Sequence, residues 1–96
     1  MDESTLANAR KEIDRINNEL TDLLVARMKQ VEIVADWKKA NNMPVSVPAR
    51  ENEIIARVCN RCGAEFAPEI EKIFRAIFKA SCEREERLIA AAGEEK

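Results

Sequence analysis

Histidine is absent from all 96 residues, which removes the usual general base and the commonest metal ligand. Glycine occurs twice and proline three times, at places where helices would stop or start. No stretch reaches transmembrane length and the N-terminus has no apolar signal-like run, so neither a membrane span nor export is expected. Neither sign of charge dominates, with 16 Lys and Arg against 18 Asp and Glu. That balance argues against nucleic-acid or membrane binding through a bulk field. Any anion must therefore be held by a few placed cations.

Three cysteines, an odd number with no export signal, point to a reducing cytosol. The motif "CNRC" at Cys59 and Cys62 lacks a zinc ligand set, because only Cys82 remains and there is no histidine. A thioredoxin-like role expects a βαβ setting that the pattern does not supply. Both cysteines read as small, inert helix residues, and neither a metal nor a cofactor is expected.

What the sequence has is helical periodicity almost throughout. Hydrophobic residues make up 46% and charged residues 35%, the balance of a soluble helical protein. The length suits one small domain, residues 1–96, with a modest core. The first helix is predicted over about 4–40, ending at Asn41-Asn42. The connector "NNMPVSV" contains Pro44, which forbids simple continuation. Pro48 suits the first turn of a second helix over about 48–62, stopped by Gly63. Pro68 opens a third over about 68–92. The expected fold class is all-α, with a long first helix, a short second and a medium third.

The first helix carries the strongest inference. Leu6, Arg10, Ile13, Asn17, Leu20, Leu24, Arg27, Val31, Val34 and Lys38 follow one another at alternating spacings of four and three. A heptad-type seam of this length implies a partner helix along all of it. At 1.5 Å per residue such a helix is ~52 Å long, too long for either remaining helix to cover. A second copy of the chain is the economical partner, and an intertwined antiparallel homodimer is expected.

Polar members of the seam sharpen the expectation. Arg27 and Lys38 lie three turns apart on nearly one face, so their side chains can converge. Arg10 is ~25 Å from Arg27 along the axis and cannot join them within its own chain. In an antiparallel pairing about a dyad near Thr21, the partner's Arg10 would fall opposite residues 32–34. On the third helix Ile70, Phe74, Ile77, Ser81, Glu85 and Leu88 share a face, so Ser81 and Glu85 occupy apolar positions one turn apart. Arg50 and Glu51 sit in the first turn after Pro48, near unpaired backbone N–H groups. Buried cations are costly unless paired, and Glu51 and Glu85 are too few to pair them all. The excess positive charge fits a small dianion.

These residues together resemble the all-helical chorismate mutases. The likeness rests on Arg10, Arg27 and Lys38 on a long first helix, "PVSVPARE" leading into the second, and Ser81 with Glu85 on the third. It runs from Leu6 to about Leu88. The resemblance implies an intertwined dimer that converts chorismate to prephenate on the route to phenylalanine and tyrosine. It implies that Arg27 and the partner chain's Arg10 bind the two carboxylates, assisted by Ser81 and Arg50. Lys38 would donate to the enolpyruvyl ether oxygen and Glu51 would accept from the ring hydroxyl. Glu85 would take the second donor position at the ether oxygen, and Val34, Phe78 and Cys82 would line the apolar wall. Val47 and Ala49 stand where relatives carry acidic residues, which leaves the contact there to the backbone.

The chemistry matches the composition. A Claisen rearrangement is unimolecular and needs no nucleophile, base or cofactor, only a dianion held compact and donors aimed at the oxygen that gains charge. The chain is expected to be free-standing and cytoplasmic, without a fused dehydratase, dehydrogenase or synthase and without feedback control. Two other readings compete. "VPA" is similar to the isochorismate pyruvate-lyases of the same fold, but those lack an acid at the position of Glu51. A helical dimerisation module without catalysis would not need Ser81 and Glu85 on an apolar face.

An ionised carboxylate would repel the ether oxygen, so Glu85 must carry its proton to assist. Activity is expected to fall as pH rises through the titration of Glu85, and Glu85→Gln should flatten the profile. A Gln variant that keeps the wild-type pH–rate curve would remove Glu85 from this role.

Overall fold

The computed structural model describes residues 3–94. Three α-helices follow one another, α1 (Glu3–Ala40), α2 (Pro48–Cys62) and α3 (Ala67–Glu94), and no strand occurs among the described residues. The long, short and medium helices are those that the periodicity predicts. Among the described residues no helix is long and apolar enough to cross a membrane.

The chain divides into two units, at Gln30. In the first, the helix is held by local contacts. Arg15 pairs with Glu12 at 2.7 Å and with Glu19 at 2.8 Å, and the Thr21 hydroxyl donates to the Asn17 carbonyl at 2.8 Å. Exposed i,i+3 and i,i+4 pairs of this kind each contribute only ~0.3–0.5 kcal/mol. The apolar seam residues Leu6, Ile13 and Leu20 are exposed here. Roughly half of each side chain faces solvent, a state that isolated large hydrophobics tolerate but a regular stripe of them does not explain.

The second unit, from Val31, holds the end of α1, the connector, α2 and α3. α2 packs on α3. The buried apolar side chains are Ala35 of α1, Ile55 of α2 and Phe78 of α3, one from each helix. Phe74 meets Phe78 edge to face, ring centroids 6.2 Å apart, a favourable arrangement for aromatic quadrupoles. Two polar residues, Ser81 and Glu85, are as buried as this core.

Each helix end has a local cause. α1 closes where the Met43 N–H donates to the Lys38 carbonyl at 2.9 Å and the Asn42 N–H to the Lys39 carbonyl at 3.4 Å. Asn42 takes φ 53°, giving the paired bonds of a Schellman motif with asparagine in the left-handed position. Pro44 follows, as the sequence leads one to expect. At the start of α2 the Val47 side chain offers no cap; the Val47 carbonyl accepts from Arg50 N–H at 3.0 Å and Glu51 N–H at 3.1 Å. Pro48 has no N–H to leave unpaired there, and the Glu51 charge suits the positive end of the helix.

Gly63 ends α2 at φ 87°, ψ 163°, a region that side chains with a Cβ rarely enter. Its N–H donates to the Cys59 carbonyl at 3.1 Å. A Cβ at this position would meet no atom within 4 Å. Gly63→Ala should therefore destabilise by backbone strain alone, about 1–3 kcal/mol. Urea unfolding checks this, and an unchanged midpoint would show that the α2–α3 turn relaxes without strain.

Candidate active site

The polar core of the second unit is built on one ion pair. Lys38 Nζ, at the end of α1, stands 2.9 Å from Glu85 Oε1 on α3. Glu85 is only 4% exposed, and the Lys38 side chain is 13% exposed. Lys38 also donates to the Val45 carbonyl at 2.6 Å. An ammonium has three protons, and one of them goes to the Val45 carbonyl. Glu85 Oε1 lies within ion-pair distance of Lys38 yet accepts no well-directed hydrogen bond. Its charge is compensated while an acceptor direction goes unused. A buried polar atom in that condition needs a physical reason, and a guest seated against the pair supplies one.

Glu51 and Cys82 belong to the same neighbourhood. Burial pushes the Cys82 thiol above its ordinary pKa, and the carboxylates of Glu51 and Glu85 push it further, while Lys38 opposes them. A recess beside this group is lined by Ser46, Glu51, Arg75, Phe78, Lys79 and Cys82. Phe78 and Cys82 are among the residues that line this recess; Val34 is exposed on α1 and is not. Ser81 is buried and its hydroxyl donates to the Ile77 carbonyl of its own helix at 2.8 Å. Arg50 lies on the outside, where it pairs with Glu53 at 2.8 Å. Arg10 and Arg27 belong to the first unit, Arg10 exposed and Arg27 half-buried.

Around the pair and its recess the second unit gathers three cations, Lys38, Arg75 and Lys79, and two carboxylates, Glu51 and Glu85. That set leaves one net positive charge, short of the two negative charges of a dianion. Sequence reasoning missed several participants. Arg75 and Lys79 reach the recess from α3, and the Val45 carbonyl, a backbone group with no side-chain signature, fixes Lys38. The run "EREER" reads as a solvated face apart from Glu85, but Arg84 is half-buried and pairs with Glu32 of α1. Its Nε is buried without a hydrogen-bond partner. A charge beside a buried acid on the same helix was the available signal.

The remaining cysteines are quiet. Burial is the first cause that raises the Cys59 thiol above its ordinary pKa, which disfavours the reactive thiolate. Cys62 points its sulfur at the Cys59 and Gly63 carbonyls. All three cysteines are unbridged, and no cluster of three metal-ligating side chains exists among the described residues.

Comparison with known proteins adds a family. The family model described as chorismate mutase type II matches residues 9–86. A relative from Aquifex aeolicus (strain VF5), named bifunctional chorismate mutase/prephenate dehydratase, is 34% identical over 91 residues. The match covers 90% of this chain and 25% of the relative, so the chain spans about a quarter of that protein's length. No solved structure matches the chain.

Proposed function

This chain belongs to the chorismate mutase type II family, and we propose that it catalyses the rearrangement of chorismate to prephenate in a site shared between two copies. The observation that carries the reading is the buried Lys38–Glu85 pair, whose ammonium keeps a proton for a guest oxygen and whose carboxyl keeps an unused direction.

The reaction breaks the ether carbon–oxygen bond as a carbon–carbon bond forms elsewhere in the same molecule. Negative charge grows on the ether oxygen in the transition state. Lys38 donates to that oxygen; Glu85, the ionised partner of Lys38 in the free chain, would have to take up a proton to donate from the α3 side. Neither is consumed, so no covalent intermediate is needed. Glu51, in the first turn of α2 and on the recess, accepts from the ring hydroxyl. Phe78 and Cys82 supply an apolar wall that favours the folded, chair-like substrate over its extended form. Ser81 would have to turn from Ile77 to reach a carboxylate.

The dianion's charge requires more positive charge than Lys38, Arg75 and Lys79 leave over after Glu51 and Glu85. Arg27 of the same chain and Arg10 of a partner chain supply it in this reading, with Arg50 as an outer contact. The exposed seam of Leu6, Ile13 and Leu20 supports such a partner, because a second copy of α1 would cover it. Arg10 shares that seam in the sequence and so travels with the interface.

Removing one preorganised donor typically costs ~3–4 kcal/mol of barrier, about 10²–10³ in kcat. Lys38→Met should show that loss in a chorismate turnover assay. The variant strands Glu85 in the interior, so the double variant Lys38→Met/Glu85→Gln serves as the neutral control; it should fold and stay equally slow. Turnover within tenfold of wild type in either protein would remove Lys38 from the reaction.

Subunit sharing has its own test. Arg10→Ala and Lys38→Met chains should each be inactive alone. In a mixed dimer, one site would hold an intact Lys38 and an intact Arg10 from the other chain. Co-refolding equal amounts should restore roughly a quarter of wild-type activity, since half the dimers are mixed and each has one good site. No recovery would place Arg10 and Lys38 in the same chain's site, and an Arg10→Ala chain active by itself would place Arg10 outside it.

A further inference from the structure

We propose that Asn42 is a positioning residue for the Lys38 ammonium: its left-handed backbone sets the Val45 carbonyl that aims the amine. This deepens the functional reading above and rests on it.

The connector after α1 grips Lys38 at both ends of the residue. At the main chain, the Lys38 carbonyl accepts from the Met43 N–H at 2.9 Å, closing the helix. At the side chain, Lys38 Nζ donates to the Val45 carbonyl at 2.6 Å. Between the two grips lies Asn42, and it is the one non-glycine residue at positive φ among those described, at 53°. The Schellman closure requires that sign of φ at this position, because the chain must reverse its helical sense to bring the Met43 N–H back onto the Lys38 carbonyl. Asparagine enters this region far more readily than a β-branched residue does. The same reversal decides where the next carbonyls point, and Pro44 narrows the choice further by fixing its own φ.

Neighbouring polar groups keep out of the way. The Asn41 side chain and backbone N–H both donate to the Trp37 carbonyl, at 2.8 and 3.0 Å, so they do not compete for Val45. The ammonium is then held by one directed hydrogen bond, to Val45 on the connector, and by the charge of Glu85 on α3. The hydrogen bond alone would leave it free to rotate about that contact. Hydrogen bond and ion pair, from different elements, together restrict where the remaining N–H groups point, and the reaction requires one of them. A flexible four-carbon stem would not hold that direction unaided. Val45 is therefore part of the aiming device, and Asn42 is the side-chain identity that permits it.

The test is a series at position 42 read by kinetics and by the lysine ammonium itself. Asn42→Gly accepts positive φ and should keep kcat within about twofold of wild type. Asn42→Val should lower kcat by roughly tenfold or more, with KM within about threefold, because small misplacement of a reacting group is costly while carboxylate binding persists. Asn42→Ala should fall between. In lysine-¹⁵N-labelled protein, the Lys38 ammonium should give an exchange-protected signal in wild type and Asn42→Gly and lose it in Asn42→Val. A Val variant with wild-type kcat, or with the protected signal intact, overturns the proposal even if its melting temperature has dropped. Should the wild-type chain fail to turn over chorismate, the functional reading falls, and the ammonium signal still decides whether Asn42 and Val45 hold Lys38.

Discussion

The buried contact between Lys38 and Glu85 is the constraint around which the second unit is arranged. Neither charge could remain in that interior alone, since an unpaired buried ion costs several kcal/mol. Each residue therefore dictates the position of the other's helix. The end of α1 must approach α3 at the level of residue 85, and the small Ala35, buried one turn before Lys38, permits a close approach. Arg84 and Glu32 repeat the connection on an adjacent level. A pair of this kind is weak evidence for stability, because apolar side chains of the same volume would often do as well. Its retention at the heart of a small core is better explained by chemistry done there.

Charge accounting links this pair to assembly. Lys38, Arg75 and Lys79 against two glutamates leave one net positive charge, too little to match a doubly negative molecule. The chain that folds this polar core also carries, on the first thirty residues, Arg10 and Arg27 and a row of exposed leucines and isoleucines. Apolar surface calls for a covering helix and the polar core calls for cations, and one partner chain would answer both. In the proposed dimer, association and substrate recognition are the same event seen from two sides.

Much of the helix pattern was legible because its signals are local. Pro48, Gly63 and the pair Asn41-Asn42 mark their helix ends by backbone chemistry that acts within a few residues. Ser81 and Glu85 stood out because polar groups on an apolar face contradict the period they interrupt. Lys38 stood out for the same reason. The opposite kind of feature stayed hidden. Arg84 looks like one more charge in an acidic run, and only its pairing with Glu32, 52 positions away, takes it out of solvent. The Val45 carbonyl leaves no mark in a sequence at all. Arg50 was legible as a first-turn residue, but its engagement with Glu53 depends on a rotamer choice along an exposed helix.

The turn from Gly63 to Phe66 joins α2 and α3 through only a few residues, so their packing is a short-range affair in chain terms. Lys38 must meet Glu85 across 47 intervening steps of chain. Closing that larger loop costs more conformational entropy than forming the hairpin, and it returns nothing until the ammonium arrives. Folding should accordingly assemble the α2–α3 hairpin first, with Glu85 in waiting, and complete the Lys38–Glu85 pair late.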